Sequence, residues 1–210
     1  MSMGKFAEIA FTPSVRSVQQ EKGSRASYAR LERGPDVGDE FGPEEAAFIA
    51  ARDSFYMATV SETGWPYVQH RGGPAGFVKV LDVNTIGFAD FRGNRQYVSV
   101  GNLTRDDRTS LLFMDYPNRA RLKILGRATL VGPDRREILE RLELPEYRAV
   151  IERGILIRVE GFDWNCPQHI TPRFTLAEIE EATKPLRQRI AELEARLEEG
   201  PPASRRNSDR

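Results

Sequence analysis

Hydrophobic and polar positions change their spacing three times along this chain, and each change predicts a different kind of element. Residues 1–42 mix Gly, Ser, Arg and Pro with little periodicity and read as an arm with short helical pieces. Gly42-Pro43-Glu44-Glu45 then opens a helix, because proline suits a first turn and two carboxylates suit the positive end of the helix dipole. Phe48 and Ile49 supply its apolar face, and it ends near Arg52 and Asp53. From residue 55 the period becomes that of strands. Residues 55–60 are aromatic and β-branched, 61–64 form a turn ending in glycine, and 66–70 return as the second strand of a hairpin. Further strands are predicted at 77–81 and 85–90, then a short helix at 99–103. Residues 109–115 are nearly all apolar and read as a central strand. A long strand covers 119–131, with Gly126 interrupting it as at a bulge or a barrel corner. Helices are predicted from Gly132 to about Leu142 and near 146–152, before a last strand at 154–161.

Six or seven short strands with tight turns indicate a mainly β chain with helical additions. The expected architecture is an antiparallel β-barrel with flanking helices, since closure protects strand edges. In the tail, Leu176, Ile179, Thr183, Leu186, Ile190, Leu193 and Leu197 alternate spacings of three and four. That is a heptad seam of about three repeats, which suits either packing on the same domain or pairing between chains. Pro185 is expected to kink or break this helix. The organisation predicted is an arm (1–42), a barrel domain (43–174), a C-terminal amphipathic helix (175–198) and a disordered tail (199–210).

Charge and composition narrow the function. Lysine and arginine total 31 and acidic residues total 31, so no electrostatic case exists for nucleic acid or an anionic membrane. No apolar run approaches the ~20 residues that span a bilayer. A single cysteine, Cys166, forms no intrachain disulfide and suits a reducing cytoplasm, and two histidines at unrelated positions suggest no metal site. Nucleophile elbow, Walker loop, HExxH and paired carboxylates are all missing from the sequence, so a cofactor that brings its own chemistry is the better expectation.

Three segments have the composition of a site. Phe91-Arg92-Gly93-Asn94-Arg95-Gln96 follows a strand and offers two guanidinium groups, two amides and a glycine, suited to phosphate oxygens; the same residues also suit a solvated loop. Gln69-His70-Arg71-Gly72-Gly73-Pro74-Ala75-Gly76 places glycines where a backbone approaches a flat ligand, or where a bulged turn sits. Asp163-Trp164-Asn165-Cys166-Pro167-Gln168-His169-Ile170 gathers directed hydrogen-bonding groups and an aromatic plate, as a site wall or as a surface loop pinned by Trp164.

On these segments the chain resembles the FMN-binding split-barrel proteins related to pyridoxamine 5′-phosphate oxidase. The resemblance runs from about Pro43 to Phe174. Its strongest parts are residues 69–76, Gly87-Phe-Ala-Asp-Phe-Arg-Gly-Asn-Arg-Gln-Tyr97, Leu111-Leu-Phe-Met-Asp-Tyr-Pro117 and Leu122-Lys-Ile-Leu-Gly-Arg-Ala128. It implies a six- to seven-stranded antiparallel split β-barrel that holds FMN through Arg71 and Gly93-Asn94-Arg95, with two FMN sites at a homodimer interface. Arg121 stands where the oxidase has a flavin-contacting glutamine, and the oxidase's C-terminal Trp-Arg-Gly and Arg-x-His elements have no counterpart. The resemblance therefore extends to FMN and not to the vitamin B6 substrate.

The combined expectation is a homodimeric FMN-dependent oxidoreductase acting on an unidentified small molecule, with NAD(P)H as a possible partner. Arg92, Asn94, Arg95 and Gln96 are expected to bind phosphate. Gln69, His70, Arg71, Gly72, Gly73 and Arg121 are expected around the ring or ribityl chain. Asn165, Gln168 and His169 are expected on the substrate side, with His169 the proton donor near neutral pH. The alternative is a non-catalytic flavin carrier or redox sensor.

Overall fold

A computed structural model describes residues 4–32, 39–164 and 166–198. The chain divides into two compact units, residues 1–170 and 171–210. The first contains three N-terminal helices, α1 (Gly4–Ala10), α2 (Pro13–Glu21) and α3 (Arg25–Glu32), followed by α4 (Pro43–Ala50). Then come β1 (Ser54–Val60), β2 (Pro66–Gly72), β3 (Val78–Asp82), β4 (Thr85–Phe91), α5 (Val98–Leu103), β5 (Arg108–Asp115), β6 (Ala120–Val131), α6 (Arg136–Leu142) and β7 (Ile151–Trp164). The second unit is described as a single helix, α7 (Leu176–Glu198).

The seven strands form one antiparallel sheet in the order β2-β1-β5-β6-β7-β4-β3. Central placement of β5 follows from its apolar sequence, and its inward residues Thr109, Leu111, Phe113 and Asp115 are buried. The sheet curls. Phe55 on β1 lies 4.8 Å from Phe113 on β5 and 5.2 Å from Phe88 on β4, although β1 and β4 stand four places apart in the sheet. Phe77 stacks on the same ring at 5.8 Å. Burying these rings with Met57, Ile86, Ile124 and Ile155 closes the core, to which Ile49 of α4 and Leu103 of α5 are added.

Gly126 marks the bulge its position predicts. The β6–β7 register shifts between Leu125 and Gly126, and a Cβ there would lie 2.5 Å from the Arg158 carbonyl oxygen. The helix expected near 146–152 is not formed. Residues 147–150 are irregular and β7 begins at Ile151, because Ile151 and Arg153 pair with Phe91 and Asp90 in the β4 ladder. Strand β7 also runs past Gly161 to Trp164, pairing with Leu122 of β6. Helix α7 continues through Pro185 without a break, and none of its residues is buried.

Candidate functional site: a guanidinium-lined cleft

Alternation along β2 sorts its polar residues onto two faces. Gln69 and Arg71 are half-buried on one side, while His70 is exposed on the other, its ring 5.7 Å from that of Tyr56. The curl of the sheet brings this edge strand to the end of β4. There Arg71 Nη1 donates to Asp90 Oδ1 at 2.5 Å, with both side chains largely out of water. Asp90 sits among Ile86, Gly87, Phe88 and Ala89, all buried, so its charge needs cationic partners. Arg153 from β7 supplies the second, its Nε 3.5 Å from Asp90 Oδ2.

The loop between β4 and α5 folds over these residues. Arg95 and Tyr97 both adopt left-handed backbone, φ 61° and 56°, a conformation that non-glycine residues take up at a cost and that clusters at functional sites. Asn94 Oδ1 accepts the Gln96 N–H at 3.2 Å and tightens the turn. Arg95 Nε donates to the Tyr97 hydroxyl (3.1 Å), which donates to Glu152 Oε1 (3.2 Å). Arg92 Nε reaches the same carboxylate oxygen at 3.1 Å, and Arg153 Nη2 reaches Oε2 at 3.1 Å. Burial pushes the Glu152 carboxyl up. The hydrogen bonds from Arg92 and Tyr97 and the charges of Arg153 and Arg92 outweigh that and hold it below its ordinary value. Helix α5 is fixed beside the loop by Ser99 Oγ donating to Gln69 Oε1 (2.8 Å) and Asn102 Nδ2 donating to Thr59 Oγ1 (2.9 Å).

These contacts enclose a cleft of about 240 Å3. Of the residues singled out in the sequence, Gln69, Arg71, Gly93, Asn94 and Arg95 line it. Arg92 adjoins it through Glu152. Gly72 and Gly73 do not line it: a Cβ on Gly73 would strike the Phe77 ring at 2.9 Å, so that glycine makes room for the core. Nor do His70, Gln96, Arg121, Gln168 and His169. Arg121 is half-buried on β6 and its Nε is buried without a hydrogen-bond partner. Gln168 and His169 are exposed in the turn after β7. Asn165 lies outside the described residues. Trp164 is a structural anchor, with Nε1 donating to Glu45 Oε1 at 2.8 Å and its ring 4.7 Å from Phe48.

Phe91, the first residue of the expected phosphate loop, lines it as well; Asp90, Tyr97, Ser99, Val100 and Glu152 complete the lining, and none of these five was expected to contact a ligand. Asp90 carried a signal: an acid at an inward position of an apolar strand demands a partner. Glu152 was hidden by the helix expected near 146–152, and Arg153 by the gap between that helix and the strand expected from 154. Around the cleft four guanidinium groups (Arg71, Arg92, Arg95, Arg153) face two carboxylates (Asp90, Glu152), a surplus of two positive charges. The Nε atoms of Arg71 and Arg153 are buried without a hydrogen bond. The charge surplus suits an anion with several oxygens. Among the described residues no group of His, Cys, Asp and Glu is placed to hold a metal, and no helix is long and apolar enough to cross a membrane.

Residues 41–155 match the family model described as pyridoxamine 5′-phosphate oxidase. Among solved structures, HupZ of Group A Streptococcus is 14% identical, with 64% of this chain and 100% of that one covered and a TM-score of 0.48. A Clostridium acetobutylicum protein related to general stress protein 26, of the pyridoxinephosphate oxidase family, is 16% identical over 65% and 94% of the two chains (TM-score 0.43). Atu2129 of Agrobacterium tumefaciens, of unknown function, is 21% identical over 68% and 66% (TM-score 0.43). No curated protein matches the chain.

Proposed function

Because the chain belongs to the pyridoxamine 5′-phosphate oxidase family, we propose that it binds FMN and works as a homodimeric oxidoreductase on a small molecule. One observation carries the reading: Arg71 and Arg95 in the lining, with Arg92 and Arg153 beside it, outnumber Asp90 and Glu152 by two, which matches a phosphomonoester of charge near −2. Arg71 and Arg95 would hold the phosphate, with Arg92 and Arg153 adding charge through Glu152. Gln69 and Asn94 would orient the ribityl chain. A volume of about 240 Å3 is below the ~300–1,000 Å3 usual for ligand pockets. It suits phosphate and ribityl, and supports a ring lying outside the single-chain cleft, against a second copy. In that arrangement the half-buried Arg121, with its unbonded Nε, would face the ring, and His169 would act as proton donor towards substrate at the other copy's site. Bound FMN supplies hydride or electron transfer; the chain's own residues bind, orient and exclude water.

The test is direct. The purified protein should be yellow, or its apo form should take up FMN and bind riboflavin, which lacks the phosphate, much more weakly. A colourless protein that takes up no FMN refutes the proposal. A non-catalytic carrier or redox sensor is the second reading. It is favoured by the cleft lining, which holds no His, Cys or Lys and whose carboxylates are both bonded to guanidinium groups. Anaerobic bleaching of the bound flavin by NADH or NADPH would decide for the oxidoreductase.

A further inference from the structure

Helix α7 carries a seam that nothing in its own unit buries. Leu176 (80% exposed), Ile179, Leu186, Ile190, Leu193 and Leu197 (80%) stand along one side, with Thr183 among them. A helix of 23 residues, about 35 Å long, gains most of its stability from packing an apolar face. This one contains a proline as well. In heptad terms Leu176, Thr183, Ile190 and Leu197 are a positions, and Ile179, Leu186 and Leu193 are d positions. Pro185 then falls at c, away from the seam, so it does not obstruct a partner on that side.

Charge on the flanks identifies the partner and its direction. The e positions are Glu180, Arg187 and Glu194; the g positions are Ala182, Arg189 and Arg196. With two copies parallel, g of one meets e of the next heptad on the other, so Arg189 meets Glu194 of the second copy, twice by symmetry. No like charges face each other, since Ala182 stands opposite Arg187. With two copies antiparallel, e meets e and g meets g. In the antiparallel register of greatest overlap, which layers Ile190 on Leu186, Arg187 meets Arg187, Arg189 meets Arg189 and Glu180 meets Glu194, all like-charged. Within the helix Arg189 holds Glu192 at 2.8 Å, an exposed pair that leaves further guanidinium donors free, and no ion pair engages Glu194 among the described residues. The second and third heptads also put β-branched residues (Thr183, Ile190) at a with leucines (Leu186, Leu193) at d, the combination that favours two strands. We infer that α7 pairs with α7 of a second copy as a parallel two-stranded coiled coil.

Cysteine crosslinking in the full-length chain tests this, with Cys166→Ser as background. Leu197→Cys should give a disulfide-linked dimer under mild oxidation, because parallel a positions bring Cα atoms within the ~7 Å a disulfide spans. Adding Leu186→Glu and Ile190→Glu should cut the crosslinked fraction at least tenfold. Arg189→Glu should lower it and Arg189→Glu with Glu194→Arg should restore it. A crosslink that persists undiminished in the Leu186→Glu, Ile190→Glu protein overturns the inference, since chance proximity of tails would then explain it. So does failure of Leu197→Cys to link to itself, or linkage only when Leu197→Cys protein is mixed with Ile179→Cys protein, which marks the antiparallel pair. The inference stands independently of FMN binding.

Discussion

Replacing Asp90 by leucine removes the anion on which two strand ends converge. Asp90 accepts from Arg71 at 2.5 Å and has Arg153 at 3.5 Å, and the Arg71 and Asp90 side chains are only 12% and 9% exposed. At an effective dielectric constant near 20 the 2.5 Å contact is worth roughly 7 kcal/mol of gross attraction. Dehydration of both groups offsets much of that. What counts in the variant is the charge left behind, and stranding one partner of a buried pair typically costs ~3–5 kcal/mol. Arg153 keeps Glu152 at 3.1 Å, so Arg71 is the stranded group. For a unit of this size each kcal/mol is worth ~2–4 °C in melting temperature, giving a fall of about 6–20 °C, readable by calorimetry and by the urea midpoint. The variant Arg71→Met with Asp90→Leu removes both charges and should recover most of the loss, because neither group is then buried unpaired. The charge surplus of the cleft is the same in that double variant. Weaker FMN binding by it would therefore report the lost Arg71 donor and not the net charge. If Asp90→Leu costs under ~1 kcal/mol, or the double variant is no better than the single, the pair does not hold the curled sheet's ends as described.

Three further outcomes are expected. Arg95→Ala should leave apo stability unchanged and weaken FMN at least tenfold with riboflavin unaffected, since the exposed Arg95 side chain bonds only Tyr97 among the described residues; parallel titrations by calorimetry would measure both. Gly126→Ala should lower stability by about 1–3 kcal/mol, because its Cβ meets a backbone carbonyl at 2.5 Å that cannot swing aside, whereas Gly101→Ala, in helix with nothing within 4 Å, should raise it by about 0.4–1 kcal/mol; urea midpoints compare the two. The Asp106 carboxyl, hydrogen-bonded by Arg108, is pulled down from 3.8 to about 2. A lowered native value stabilises the fold above the unfolded value near 3.8, and the gain fades as pH falls through about 2. The stability difference between wild type and Arg108→Met should accordingly hold above pH ~5 and close near pH 2, while carboxyl NMR of the variant shows Asp106 returning towards 3.8.

Much of the fold was legible because period-2 alternation is a local property. The strands at 54–60, 85–91 and 108–115 fall within about a residue of their expected places, and the bulge at Gly126 follows from a glycine inside a long strand. The failure at 146–152 has a clear cause. Glu146, Tyr147, Arg148 and Ala149 suit a helix locally, but Ile151 and Arg153 are recruited by the open edge of β4, and ladder hydrogen bonds plus the Asp90 charge override local preference. The site divides the same way. The loop at 92–95 and Arg71 were visible as residue types suited to phosphate, and the structure brings Arg71, Gly93, Asn94 and Arg95 to one cleft. Trp164 looked equally suited to a site wall, and its indole instead clamps α4.

Local pattern is enough to set which faces of the strands are apolar, where the chain must turn, the phase of the α7 seam and the concentration of guanidinium groups near residues 71 and 92–95. The folded sheet is needed to bring β2 and β4, at opposite parts of the sheet order, together through Arg71 and Asp90. The same long-range pairing lets Glu152, 60 residues from Arg92, tie the loop's arginines together. Periodicity says which side of a strand is buried and nothing about how far the sheet curls. That curl goes with the aromatic packing of Phe55, Phe77, Phe88 and Phe113, in which Phe55 of β1 meets Phe88 of β4 although the two strands never pair, so the charge balance of the cleft exists only once the core has closed.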